Sequence, residues 1–148
     1  MTALKPVKQY VEQFAITGFS KRTKNIDEAH PEQAKIPALW QQFQESDLSA
    51  HKPAIAVYSD YESNAEGLYT ITVGVAQNQQ LPLCSRVEIK AGQYLQFKNN
   101  GPMPDTIIKT WQEIWGYFNG NTHYLRNFIS DFEVYNGPNE FAIFIGIQ

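Results

Sequence analysis

The feature that most constrains this chain is a repeat within itself. Ser59-Asp60-Tyr61-Glu62 returns 71 residues later as Ser130-Asp131-Phe132-Glu133, and the same spacing carries Pro31 to Pro102, Ile36 to Ile107, Trp40 to Trp111, Gln41 to Gln112 and Phe43 to Ile114. After a one-residue slip, Ile71, Val73, Gly74 and Val75 align with Ile143, Ile145, Gly146 and Ile147. Matches this numerous at one spacing are hard to blame on composition, so each half reads as one copy of a common unit. The expected organisation is a single domain over 1–148, with repeat 1 at approximately 8–78 and repeat 2 at approximately 82–148.

Periodicity gives the elements of that unit. Ile36, Leu39, Trp40 and Phe43 follow the i, i+3, i+4, i+7 rule of an amphipathic helix. Pro31 suits a first turn, but Pro37 would remove a hydrogen bond inside a helix, so the regular helix is expected to begin near Lys35. In the second half Ile107, Trp111, Ile114, Trp115 and Phe118 trace a wider apolar stripe, entered through Pro104-Asp105 and stopped by Asn119-Gly120. Strands are expected at Val11 to Thr23, Ala54 to Tyr61, Leu68 to Ala76, Leu83 to Phe97, Asp131 to Tyr135 and Glu140 to Ile147, with Glu66-Gly67 and Asn136-Gly137-Pro138-Asn139 as turns. Each half is then strand, helix, hairpin. One hairpin with one helix encloses no core, so the two βαββ units should pack about a pseudo-twofold axis as an α+β domain with a central ligand groove.

Composition narrows the function. With 12 Lys+Arg against 15 Asp+Glu the formal charge is −3, which argues against the basic footprint of direct DNA binding. A single cysteine, Cys84, excludes an internal disulfide and a multi-cysteine metal site, and makes the cytoplasm the default compartment. The apolar run Phe141 to Ile147 falls far short of the roughly 20 residues a membrane helix needs, and Met1 to Pro6 resembles neither a secretory signal nor a transit peptide. His30, His51 and His123 have no ligand spacing, and Gly18, Gly67, Gly74 and Gly92 are too scattered for a phosphate loop, so neither a metal nor a cofactor is implied. Nor does Cys84, beside Pro82 and Leu83, have an activating neighbour in sequence.

Trp-Gln-x-Phe at Trp40 and Trp-Gln-x-Ile at Trp111, the Asp-Tyr-Glu-Ser run at Asp60 leading to Tyr69-Thr70 and Val73-Gly74, and Asp131-Phe132-Glu133-Val134-Tyr135 before a final apolar strand together resemble the effector-binding domain superfamily. That group includes gyrase-inhibitor-like proteins and the ligand-sensing domains of AraC- and MerR-type regulators, and the nearest likeness is to the free-standing integron-cassette effector-binding proteins. The resemblance implies a central pocket for cationic, lipophilic small molecules, with a glutamate at its floor among aromatic rings. Glu133 matches that position.

The residues support such a site on physical grounds. In a strand Glu133 and Tyr135 share one face while Phe132 and Val134 share the other, so the carboxylate sits beside large apolar groups on either choice of core. Buried without a partner it would be costly, and a bound cation with aromatic walls offsets that cost. Most glutamates are nonetheless exposed, which is the expectation for Glu62 with its polar neighbours Ser63 and Asn64. Core packing is the default for Trp40, Trp111 and Trp115. Trp115, one turn beyond Trp111, is the best placed of the three to reach a pocket. Tyr58, Tyr69 and Tyr94 each either line the groove or pack in the core. The candidate ligand-binding set is Glu133, Trp115, Tyr135, Tyr58, Tyr69, Tyr94 and Trp40, with no catalytic residue assigned.

Two function classes remain. One is a free-standing binding module that acts on transcription, if at all, through a partner DNA-binding protein. The other, by the same resemblance, is a gyrase-inhibitor-like hydrolase in which Glu133 assists water and Tyr135 supplies a proton.

Overall fold

In the computed structural model, described here for residues 5–77, 81–120 and 123–148, the chain alternates strands with three helices. In order they are β1 (Val7–Val11), β2 (Phe14–Thr23), α1 (Asn25–Glu28), α2 (Ile36–Gln44), a 3-10 turn (Asp47–Ala50), β3 (Ala54–Ser59), β4 (Tyr69–Ala76), β5 (Ser85–Ile89), β6 (Gly92–Asn100), α3 (Asp105–Asn119), β7 (Arg126–Gly137) and β8 (Glu140–Ile147). Proline marks the start of α2, and proline and glycine bound α3. Lys35 caps α2 with Pro37 in its first turn, and Pro104 and Gly120 flank α3.

The eight strands form one antiparallel sheet in the order β1-β6-β8-β7-β3-β4-β2-β5. This order forces curvature. Strands β1 and β2 lie six positions apart, about 29 Å across a flat sheet, yet Val11 and Phe14 are joined by a link that reaches at most about 11 Å. The same holds for β5 and β6, joined through Lys90 and Ala91. The sheet therefore curls until its two edges approach each other.

Both faces are apolar, with strict alternation between them. One face carries Ile16, Ile55, Val57, Phe132, Ala142 and Phe144, packed with Ile89, Val11 and Phe14 from the curled edges. The other is covered in halves. Leu39 and Phe43 of α2 seal Ala56, Ile71, Val73 and Val75, whereas Ile114 of α3 seals Leu95, Phe97, Phe141, Ile143 and Ile145. Between the two helices the central strands β3 and β7 remain uncovered, and there the cavity forms.

Three local expectations change. Val11 to Thr23 and Leu83 to Phe97 are each two strands, because the chain must cross from one sheet edge to the other at Glu12-Gln13 and at Lys90-Ala91. Strand β7 runs well beyond Asp131 to Tyr135 at both ends. The twin Ser-Asp-aromatic-Glu segments do not occupy matching places. Strand β3 ends at Ser59 and Asp60 turns out of it with φ 50°, leaving Glu62 exposed in a loop, while Asp131 to Glu133 lie inside β7.

Candidate functional site

Strand β7 delivers Glu133 to the floor of the uncovered strip. Its neighbours across the sheet are Ala56 on β3 and Ile143 on β8, so no charged side chain stands beside it in the ladder. The residue is 2% exposed. Three donors converge on it from three elements. The Tyr58 hydroxyl of β3 and the Trp111 indole N–H of α3 each donate to Oε2 at 2.7 Å, and the Tyr135 hydroxyl of β7 donates to Oε1 at 2.5 Å.

Burial pushes the Glu133 carboxyl above its ordinary value, and the hydrogen bonds from Tyr135, Trp111 and Tyr58 pull part of the way back. The tyrosines move in the same direction. Burial first, and the Glu133 charge second, hold Tyr58 and Tyr135 well above the usual phenol value, so both remain protonated donors. The three donors on Glu133 are thus neutral, and among the described residues no ion pair reaches its carboxylate.

The rings around it form a box. Tyr135 packs edge-on against Trp40 of α2 at 5.0 Å, and Tyr58 against Trp111 at 5.2 Å and Tyr69 at 5.4 Å. Trp115 lies 6.2 Å from Trp111. Ile36 and Pro37 of α2 and Ile107 and Ile108 of α3 extend the apolar walls, enclosing a cavity of ≈ 1490 Å³. Typical ligand pockets measure about 300–1,000 Å³, so this one admits bulky molecules.

One lip of the cavity is the segment between β2 and α2. Glu28 accepts from Thr23 Oγ1 at 2.6 Å and from the backbone N–H groups of Lys35 and Ile36 at 2.9 and 3.1 Å, capping α2 from outside the helix. Asn25 accepts from the Tyr69 hydroxyl at 2.9 Å and donates to Ala65 O at 3.0 Å. Farther along β7, Asp131 is fully buried and paired with Arg126 at 2.7 Å, and it also accepts from the Tyr61 hydroxyl and from Gly146 N–H.

Of the residues singled out in the sequence, Glu133, Tyr135, Tyr58, Tyr69, Trp40 and Trp115 all border this cavity. Tyr94 does not. Its neighbours Leu95 and Phe97 take the helix-side positions of β6, so alternation sends Tyr94 through to the other face. There it packs against Phe132 at 5.5 Å and donates its hydroxyl to Lys90 O at 2.6 Å. Sequence reasoning missed Trp111, treated as core, although its place matching Trp40 and one turn before Trp115 was the available signal. It also missed Tyr61 and Arg126, which reach the cavity from beyond the end of β3 and from the start of β7.

A protein-family model described as integron-associated effector binding protein, Cass2, matches residues 9–147. The chain belongs to this family. YobU of Bacillus subtilis, named as a candidate transcriptional regulator, is 36% identical over 130 residues, covering 80% of this chain and 79% of that protein. The integron cassette protein VCH_CASS2 from the mobile metagenome of Vibrio cholerae superposes with TM-score 0.88 at 28% identity, over 97% of this chain and 95% of the other. SAV2435, solved bound to tetraphenylphosphonium, shares the fold with TM-score 0.76 at 13% identity, over 97% and 94%. Among the described residues this member has no group of three or more His, Cys, Asp or Glu able to hold a metal, and no helix long and apolar enough to cross a membrane.

Proposed function

We propose that this protein folds as one domain that binds cationic, lipophilic small molecules in the cavity over β3 and β7. The observation that carries the reading is the Glu133 carboxylate, buried at the floor of an apolar, ring-lined cavity and held by three neutral donors. A buried charge without a counter-ion is costly, and a cation brought by a ligand offsets the cost. The tetraphenylphosphonium bound to SAV2435 has the matching chemistry, a delocalised cation inside an apolar shell. We read the two halves as copies about an axis between β3 and β7. The palindromic strand order supports this, as does the way Trp40 and Trp111 each pack on a tyrosine of the other half's central strand.

Catalysis is not part of the proposal. Both Glu133 oxygens already accept hydrogen bonds, which suits a resident charge better than a general base. The helices α2 and α3 are committed to covering the sheet, so a transcriptional role would call on DNA-binding elements outside this domain.

The test is Glu133→Gln. In the glutamine, Oε1 accepts from Tyr58 and Trp111 while its amide N–H donates to the Tyr135 hydroxyl, which can also act as an acceptor. Shape and hydrogen bonds survive and only charge is lost. For a cation centre about 6 Å away at an effective dielectric near 20, the attraction is about 3 kcal/mol. Tetraphenylphosphonium should therefore weaken about 100-fold. A triarylmethane dye cation should weaken similarly and its neutral leuco form should not. Glu62→Gln, in the exposed loop, is the control. Equal losses for the cation and its leuco form would defeat the reading.

A further inference from the structure

Arg126 opens β7 and borders the same cavity, which is an unexpected place for a cation in a site built around a carboxylate. Its side chain is only 7% exposed, Nη2 donates to Asp131 Oδ2 at 2.7 Å, and the guanidinium carbon stands 4.3 Å from the Phe128 ring centre and 6.0 Å from that of Tyr61. Nε is shielded from solvent and, among the described residues, meets no acceptor. A guanidinium carries five N–H donors and does not lose its proton, and Asp131 takes up Nη2, so this under-paired group borders the cavity with donors to offer an acceptor through the small part of its side chain that stays accessible.

The surroundings say which acceptor. Asp131 already balances the Arg126 charge, so the pair presents a dipole to the cavity and gives an anion little net attraction. Asp131 and Glu133 are two residues apart on the same face of β7, roughly 7 Å along the strand, and an anion placed there would also be opposed by Glu133. A neutral oxygen meets neither objection. Between the two polar ends the rings of Tyr58, Tyr69 and Tyr61 form a continuous wall, with successive centres 5.4 and 5.9 Å apart.

We propose that the cavity reads a second feature of its ligands, a neutral hydrogen-bond acceptor such as a ketone or ester oxygen, held by Arg126 across an aromatic body from the cation at Glu133. The proposal rests on the reading of Glu133 as the cation site. It makes Arg126 a specificity-determining residue, and it implies that the preferred compounds are aryl cations carrying a carbonyl group about one ring away from the charge.

The test compares (4-acetylphenyl)triphenylphosphonium with (4-isopropylphenyl)triphenylphosphonium, cations of nearly equal size that differ in the acceptor. The acetyl compound should bind the wild-type protein about fivefold more tightly, the scale of one added hydrogen bond. Arg126→Lys keeps a cation opposite Asp131 but lacks Nε and the planar fork, and it should bring the ratio close to one. Should that variant not fold, the wild-type protein still decides. Its arginines are Arg22, Arg86 and Arg126, so the Arg126 side-chain N–H resonance is assigned by elimination with Arg22→Lys and Arg86→Lys. It should shift on adding the acetyl compound and stay in place with the isopropyl one. Equal affinities in the wild type, a ratio that persists in Arg126→Lys, or a stationary resonance would overturn the proposal. Glu133→Gln should weaken both compounds by the same factor and leave the ratio intact. If it weakens neither while the ratio still follows Arg126, the failure belongs to the cation reading and not to the acceptor site.

Discussion

Lowering the pH should weaken cation binding through a single residue. Burial raises the Glu133 pKa above the ordinary glutamate value of 4.5, and the hydrogen bonds from Tyr135, Trp111 and Tyr58 only partly reverse this. A cation on Glu133 favours the ionised form, so below the free protein's pKa binding must expel a proton. Affinity then falls about tenfold per pH unit and reaches a plateau above that pKa. The tyrosines on the carboxylate add no second transition, since Tyr58 and Tyr135 titrate well above the usual phenol range. Glu28 and Lys52 also face the cavity, and Glu133→Gln separates their contribution. The same shift has a consequence for stability. A group whose folded pKa is raised contributes stability that is fully present below its unfolded value and is lost as pH rises through its folded value. The ligand-free wild type should therefore lose stability relative to Glu133→Gln as the pH rises above about 4.5, and tetraphenylphosphonium should restore it. The assay is tryptophan quenching by tetraphenylphosphonium from pH 4.5 to 8, using Trp111 as a reporter in contact with the carboxylate, with proton release measured by calorimetry in buffers of different ionisation enthalpy. A wild-type affinity that does not change over this range, or a slope that survives in Glu133→Gln, would refute the reasoning.

Trp111→Phe removes a donor that holds the ionised form of Glu133, so the midpoint of that pH profile should move upward by about one unit. A midpoint that stays or falls would show that the indole N–H does not stabilise the charge. Gly74→Ala places a methyl 2.0 Å from Thr17 O, where β2 and β4 meet at Gly18 and Gly74. Neither backbone can yield without breaking the ladder, so chemical denaturation should show a loss of about 3 kcal/mol or more. Duplex DNA should not bind near physiological salt, because a net charge of −3 leaves few phosphate contacts. A salt-sensitive gel shift at submicromolar protein would contradict this.

How far the sequence reaches can be judged element by element. The bounds of α3 were readable because its apolar stripe, the proline at its entry and the glycine at its exit are all local signals. The pairing of Glu133 with Tyr135 on one face of β7 was readable for the same reason, since alternation needs no knowledge of the partner strands. What alternation cannot say is which face is which. Tyr58, Tyr69 and Tyr94 are equivalent in pattern, and only the order of strands in the sheet sends the first two toward the helices and the third toward Phe132.

The repeat shows the same boundary from the other side. By itself the sequence determined that the chain mixes strands with helices as an α+β fold, with aromatic-rich strands and a carboxylate between apolar neighbours. The tertiary structure decided that β1 and β5 each cross to the far edge of the sheet, that Glu62 lies exposed in a loop while Glu133 lies buried, and that Trp111 and Tyr58 meet on one oxygen. The reason is one of range. Dihedral preferences and hydrophobic periods act over a few residues, whereas a binding site is assembled by strand pairing between segments some 75 residues apart, such as Tyr58 and Glu133, and by burial, which is a property of the whole sheet.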